Sequence, residues 1–287
     1  MRRAGLILEH LLVGGLLGLL LLAGCASRTA SQESTDASEA ERARVVQFWK
    51  LYREATQRRL AGELEAAAEL YRQALALDSL HENALYYLGN TYLELGRLED
   101  AYRVWQRLAA AHPRSNRAFM QLGRPQMCYP ESPLFDLEAA RASFERALAL
   151  NKDSGPVLHL GEVAMLEGRF EEAAALFDKV LAMNFRSVPA YVLKAYLAWQ
   201  AGDRKTAAAL LAQARPYARA RTDAARLQLE EGNTRTGRAL VSEEATTCPL
   251  LDFNETALAD TTHLLDPDQF LRPLADRLER VLPGKSS

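Results

Sequence analysis

The chain has 287 residues, 25% charged and 48% hydrophobic, and its 35 basic and 37 acidic side chains leave a formal net charge of -2. This balance offers no basic stripe for a nucleic-acid backbone. The proportions are those of an ordinary globular protein.

The first element is an apolar run from Leu11 to about Ala23, preceded by Arg2 and Arg3. It is shorter than the roughly 20 apolar residues of a spanning helix. Its positive start, leucine-rich centre and small residues Ala23-Gly24 predict an export signal over residues 1–24. Leu22-Ala23-Gly24-Cys25 resembles the lipobox of bacterial lipoproteins. The resemblance implies that Cys25 is acylated and becomes the first residue of the mature chain. Several acyl chains on one residue make a durable anchor, where a single chain holds only marginally. Lipoproteins kept in the inner membrane often carry Asp after the cysteine; here it is Ala26, which implies the outer membrane, facing the periplasm. Residues 25–44 are rich in Ser, Thr, Ala and Glu with few large apolar side chains, and predict a flexible tether.

From Val45 to Arg221 the chain repeats. Gly62 and Gly96 lie 34 residues apart, as do Gly168 and Gly202, and the same offset links Ala67 to Ala101, Tyr71 to Trp105, Ala173 to Ala207 and Phe177 to Leu211. One longer unit intervenes, with 39 residues from Ala101 to Ala140. The period and residue types resemble the tetratricopeptide repeat, a pair of antiparallel helices that stack into a solenoid. Leu85, Leu88, Gly89, Tyr92, Gly96, Ala101, Trp105 and Pro113 mark the unit most completely. Ala55 and Ala195 stand where other units have Gly89, Gly123 and Gly161, and Lys194 takes a position usually held by Leu. The resemblance implies an all-α solenoid of about five helix pairs over 45–221, then a C-terminal helix and capping tail over 222–287.

The long unit contains RPQMCYPESPLF, with Pro125, Pro130 and Pro133 closely spaced. Proline breaks an interior helix turn, so the first helix of this unit is expected to stop early and residues 124–135 to emerge as a loop before a helix beginning near Asp136. Cys128 lies in this stretch and Cys248 near the C-terminus; sequence leaves open whether they pair. No CxxC or HxxxH spacing suggests a metal site, and His81, His112, His159 and His263 are scattered. No glycine-rich phosphate loop or catalytic motif is present. No cofactor is expected.

The segment Cys248 to Leu282 leaves the repeat pattern. Asp260-Thr261-Thr262-His263 and a helical stretch from about Pro267 are similar to the closing D-x-x-H block of SGNH-type esterases, which supplies the Asp and His of a triad. The matching Gly-Asp-Ser is absent, since Gly202-Asp203 is followed by Arg204. The segment is read in preference as an amphipathic cap with a surface histidine, which the last repeat requires to cover its apolar side.

The repeat resemblance implies a groove lined by first-helix residues: Trp49, Tyr52, Thr56 and Arg59; Asn83, Tyr86, Asn90 and Glu94; Met120 and Arg124; Leu158, Glu162 and Met165; Tyr196, Trp199 and Gln200. Asn90 matches the carboxylate clamp of chaperone-binding relatives, but Tyr86 replaces its lysine, so a free C-terminal carboxylate is not the expected ligand. Aromatic and methionine side chains among single charges suit an apolar peptide or helix held by a few large anchors. Alternatively these residues pack on neighbouring helices, or on the chain's own Cys248 to Leu282 segment folded into the groove. The expected protein is a noncatalytic, lipid-anchored adaptor for an envelope protein or peptide. The alternative is an enzyme, or enzyme subunit, using Asp260 and His263.

Overall fold

The computed structural model describes residues 38–230, 248–260 and 265–282, and all regular structure among them is helical. The export signal, the lipobox with Cys25 and most of the tether lie outside these residues. Five antiparallel pairs follow one another: α1 (residues 38–60) with α2 (Leu64–Leu77), α3 (Glu82–Glu94) with α4 (Leu98–Ala111), α5 (Asn116–Cys128) with α6 (Leu137–Leu150), α7 (Ser154–Leu166) with α8 (Phe170–Met183), and α9 (Val188–Gln200) with α10 (Arg204–Glu230). After residue 247 come a short 3-10 turn, Pro249–Leu251, and two helices, α11 (Glu255–Asp260) and α12 (Pro267–Leu278). Helix α1 already includes residues 38–44, which composition assigned to the tether.

The repeat spacing is set by two features. Between paired helices Gly62, Gly96, Gly168 and Gly202 have φ of 81°, 73°, 77° and 83°, the left-handed region where a Cβ is penalised. At Gly96 the chain reverses with Arg97 N–H donating to Tyr92 O at 2.8 Å, which closes the end of α3. Within each pair the close approach is made by removing a side chain. A Cβ on Gly123 would lie 2.6 Å from the Phe144 ring and one on Gly161 2.6 Å from Phe177, while one on Gly89 would overlap the Trp105 indole. Trp105, Phe144 and Phe177 are fully buried. They fill the volume that glycine leaves, and each buried aromatic contributes roughly 1.5–3 kcal/mol.

The long unit departs from the proline expectation. Helix α5 runs through Pro125 to Cys128 and has the same 13 residues as α3, α7 and α9. Proline so near the helix end removes one backbone hydrogen bond, at a cost of about 3 kcal/mol. The packing of Pro125, Met127 and Cys128, all buried, offsets that cost. The extra residues fall instead between Tyr129 and Asp136. That loop is closed at its base by Asp136 N–H donating to Gln126 O at 2.9 Å, and the Asp136 side chain then caps α6 by accepting from Ala139 N–H at 2.9 Å.

The tail is part of the fold. Cys128 at the end of α5 and Cys248 form a disulfide across 120 residues, with 4.9 Å between Cα atoms. Leu250, Leu251, Leu258, Leu271, Leu274, Leu278 and Leu282 are buried in one continuous core with Met127, Phe144, Met165, Phe177 and Tyr196. A separate core joins α1 to α4 and reaches Ala118. Helix α10, at 27 residues, continues well past the 14 of α8. Its added turns hold α11: Arg219 donates twice to Ala259 O at 3.2 Å, and Arg221 pairs with the buried Glu255 at 3.5 Å.

Candidate functional site

The first helices of successive pairs line the inner face of the solenoid and are braced at intervals of about one repeat. Arg59 pairs with Glu94, Arg117 donates to Asn83 Oδ1 at 2.8 Å, and Gln121 donates to the Tyr86 hydroxyl at 3.2 Å. The guanidinium of Arg117 also lies 4.6 Å over the Tyr86 ring. Each bond joins neighbouring repeats, so the 34-residue offset that carries the fold also carries the groove's polar ladder. Arg117 and Gln121 were not among the residues selected by repeat offset. Arg117 could have been found by asking which polar residue stands one period beyond Asn83, whereas Gln121 lies 35 residues beyond Tyr86, one off that period.

Over α1, α3 and α5 this face remains open. Trp49 is 43% exposed, and Phe48, Trp49, Tyr52 and His81 form an aromatic cluster with ring centroids 4.4–6.0 Å apart. Tyr52 and Thr56 are half-buried. Thr56 shares a 2.9 Å hydrogen bond with the Tyr71 hydroxyl, whose pKa burial pushes up to about 12. Asn90 is partly exposed and its side chain makes no hydrogen bond among the described residues. Met120 is partly buried. Arg124 donates to Gln121 Oε1 at 3.0 Å. Burial lowers the Arg124 pKa, and the neighbouring Tyr129, Tyr86 and Glu162 act against that.

Over α7 and α9 the face is covered. Glu162 is 6% exposed and meets His159 at 2.5 Å, with the His159 ring stacked on Phe144. Met165 and Tyr196 are fully buried, and Leu158 is partly buried in the same core. The Tyr196 hydroxyl accepts from Gln200 at 2.6 Å, and burial raises its pKa to about 12. Trp199 donates to Asp268 Oδ1 at 2.6 Å, and Arg272 lies 5.5 Å over its ring. Of the two alternatives left open by the sequence, packing within the chain holds at this end: Glu162, Met165 and Tyr196 are interior residues, and Trp199 is engaged by the tail. The reason is hydrophobic for Met165 and Tyr196, which share one continuous core with the tail's leucines.

Asp260 ends α11, with its carboxylate 3.7 Å from Arg226. His263 lies outside the described residues. No cluster of three or more His, Cys, Asp or Glu side chains suited to a metal occurs among the described residues. Lys194, at a position usually given to Leu, pairs with Asp178 of α8. Among the described residues no helix is long and apolar enough to cross a membrane.

Three tetratricopeptide-repeat family models match the chain, over residues 59–122, 136–191 and 188–213. A protein of Xanthomonas axonopodis pv. citri, cellulose synthase operon protein C, is 30% identical over 148 residues, which cover 50% of this chain and 10% of that protein. This chain thus spans about a tenth of that relative. Among solved structures, a tetratricopeptide repeat protein from Parabacteroides merdae superposes with a TM-score of 0.53 at 17% identity, covering 80% of this chain and 84% of that one. PilW, described as a widely conserved type IV pilus biogenesis factor, superposes with a TM-score of 0.52 at 18% identity, covering 68% and 91%. The helix pairs, the glycine turns, the close helix contacts and these matches agree: the chain is a tetratricopeptide-repeat protein.

Proposed function

We propose that the protein is a noncatalytic adaptor that holds a protein partner in the open half of its inner face, over α1, α3 and α5. The observation that carries this reading is the division of that face. The chain's own tail packs on α9, where it engages Trp199, and shares a core with Met165 and Tyr196, while the other half leaves Tyr52, Tyr86 and Asn90 accessible. Rigid aromatic anchors beside a free amide suit a helix or extended peptide, with the amide available to its backbone. The ladder from Arg59 to Gln121 holds these side chains in place before binding, which lowers the ordering cost.

In this reading the lipobox at Cys25 anchors the protein to the outer membrane on the periplasmic side, and the partner is an envelope component. The likeness to a pilus biogenesis factor makes assembly of a pilus, secretin or other outer-membrane complex the favoured setting. A photo-crosslinking residue at Asn90 tests the site against one at Glu145, exposed on α6. The expected result is a discrete protein adduct at position 90 in intact cells, reduced by Tyr86→Ala. Equal, diffuse labelling at both positions would remove the groove from the mechanism.

A further inference from the structure

Helix α1 begins ten residues before the position that corresponds, one repeat earlier, to the start of α3, and every residue from 38 to 47 is exposed. Several large apolar side chains remain exposed at this end: Val45 at 44%, Val46 at 68% and Trp49 at 43% on the helix, and Leu80 at 56% in the turn after α2. That turn lies against α1, since Arg44 donates to Leu77 O at 2.8 Å and the Trp49 ring is 5.4 Å from His81. At 3.6 residues per turn, Val45, Trp49, Arg42, Arg53, Val46 and Lys50 share an arc of about 140°, opposite the buried Phe48 and Ala55. Glu39 is the carboxylate on the same arc. Glu41 and Glu54 turn aside to Arg44 and Arg58, at 2.8 and 3.9 Å. Arg42, Lys50 and Arg53 make no ion pair among the described residues.

We propose that this face, Val45, Val46, Trp49 and Leu80 fringed by Arg42, Lys50 and Arg53, docks on the surface of an anionic lipid bilayer. The inference rests on the reading of Cys25 as a lipid anchor. Thirteen residues lead from Cys25 to the start of α1, and at full extension they reach no farther than about 45 Å. The anchored chain therefore keeps this end of the solenoid within that reach of the bilayer. Tryptophan favours the headgroup level, where its ring is buried and its N–H stays wet. Unpaired cations beside it are drawn to anionic headgroups within a Debye length. The apolar area is too small to retain the chain unaided. It orients a protein that is already tethered, standing the groove away from the membrane with its Trp49 end at the surface.

The test uses the full acylated chain reconstituted into phosphatidylethanolamine–phosphatidylglycerol vesicles that carry lipids brominated near the headgroup. The fluorescence difference between the native chain and Trp49→Phe isolates Trp49. The expected result is quenching of Trp49 by the brominated lipid, lost in phosphatidylcholine vesicles and lost in Lys50→Glu/Arg53→Glu at an unchanged thermal midpoint. Quenching by aqueous iodide that is the same in vesicles as in detergent, with no effect of brominated lipid, would overturn the docking face. So would a photo-crosslinker at Val46 that labels a protein or a second copy of the chain in place of lipid. The anchor is read separately, from the mass of the N-terminal peptide. A chain lacking acyl groups on Cys25 sinks the anchor reading, and the same quenching measurement on that chain, with its Cys25 thiol coupled to a maleimide-bearing lipid of the vesicle, then decides the face.

Discussion

The indole N–H of Trp199 donates to the carboxylate of Asp268, 69 residues later in the chain, at 2.6 Å, and Arg204 grips the second oxygen of that carboxylate at 2.8 Å. This pair of bonds joins the last repeat to the first turn of α12. It is a polar latch over an apolar contact, for the leucines behind it are buried.

The latch has a pH signature. The hydrogen bond from Arg204, then that from Trp199, holds the Asp268 carboxyl below its ordinary 3.8. A depressed pKa stabilises the docked tail fully above the unfolded value, and this contribution is lost as pH falls through the folded one. Asp268→Asn should therefore lower the thermal midpoint by a similar amount at all pH values above about 5. The gap to the native chain should close below pH 3.8. A gap independent of pH would show that the carboxylate charge plays no part.

Two tyrosines chosen by the same repeat logic should behave differently. Tyr196 is fully buried, so Tyr196→Ala should cost about 3–5 kcal/mol in a urea titration. Tyr86 is partly exposed, and Tyr86→Ala should cost only about 1–2 kcal/mol while weakening partner capture. Equal losses would mean that the open half of the groove is also interior.

Glycine serves two separate purposes, and substitution separates them. Gly89→Leu drives a side chain into the Trp105 indole and should cost at least about 3 kcal/mol. Gly62 has open space around its Cβ position but φ of 81°, so Gly62→Ala should cost about 1–2 kcal/mol from backbone strain alone. Calorimetric midpoints of both variants check the order.

The disulfide between Cys128 and Cys248 closes a loop across 120 residues, and such a closure restricts the unfolded chain. Cys128→Ser/Cys248→Ser should lose about 2–5 kcal/mol, with hydrogen exchange rising first at residues 250–278. A native chain whose midpoint is the same with and without reductant would count against this.

The period of 34, the glycine turns and the small residues opposite aromatics determined the solenoid directly from sequence. Each is a local relation, set by neighbours within one repeat or the next. The groove's candidate positions followed from the same register, and of these Asn90 and Tyr86 are partly exposed. What the sequence could not determine was which of those positions would be covered. That depended on a segment far along the chain, and nothing in Tyr196 or Met165 reveals that they will share a core with Leu271 and Leu274. The same holds for Pro125: its local rule predicts a helix stop, and the tertiary burial of Met127 and Cys128 outweighs it. Pairing of Cys128 with Cys248 was undecided for the same reason, because only the folded tail brings their Cα atoms to 4.9 Å. Short-range packing has a period that can be read along the chain, whereas a non-periodic tail finds its place through apolar burial, which is non-directional and carries no register.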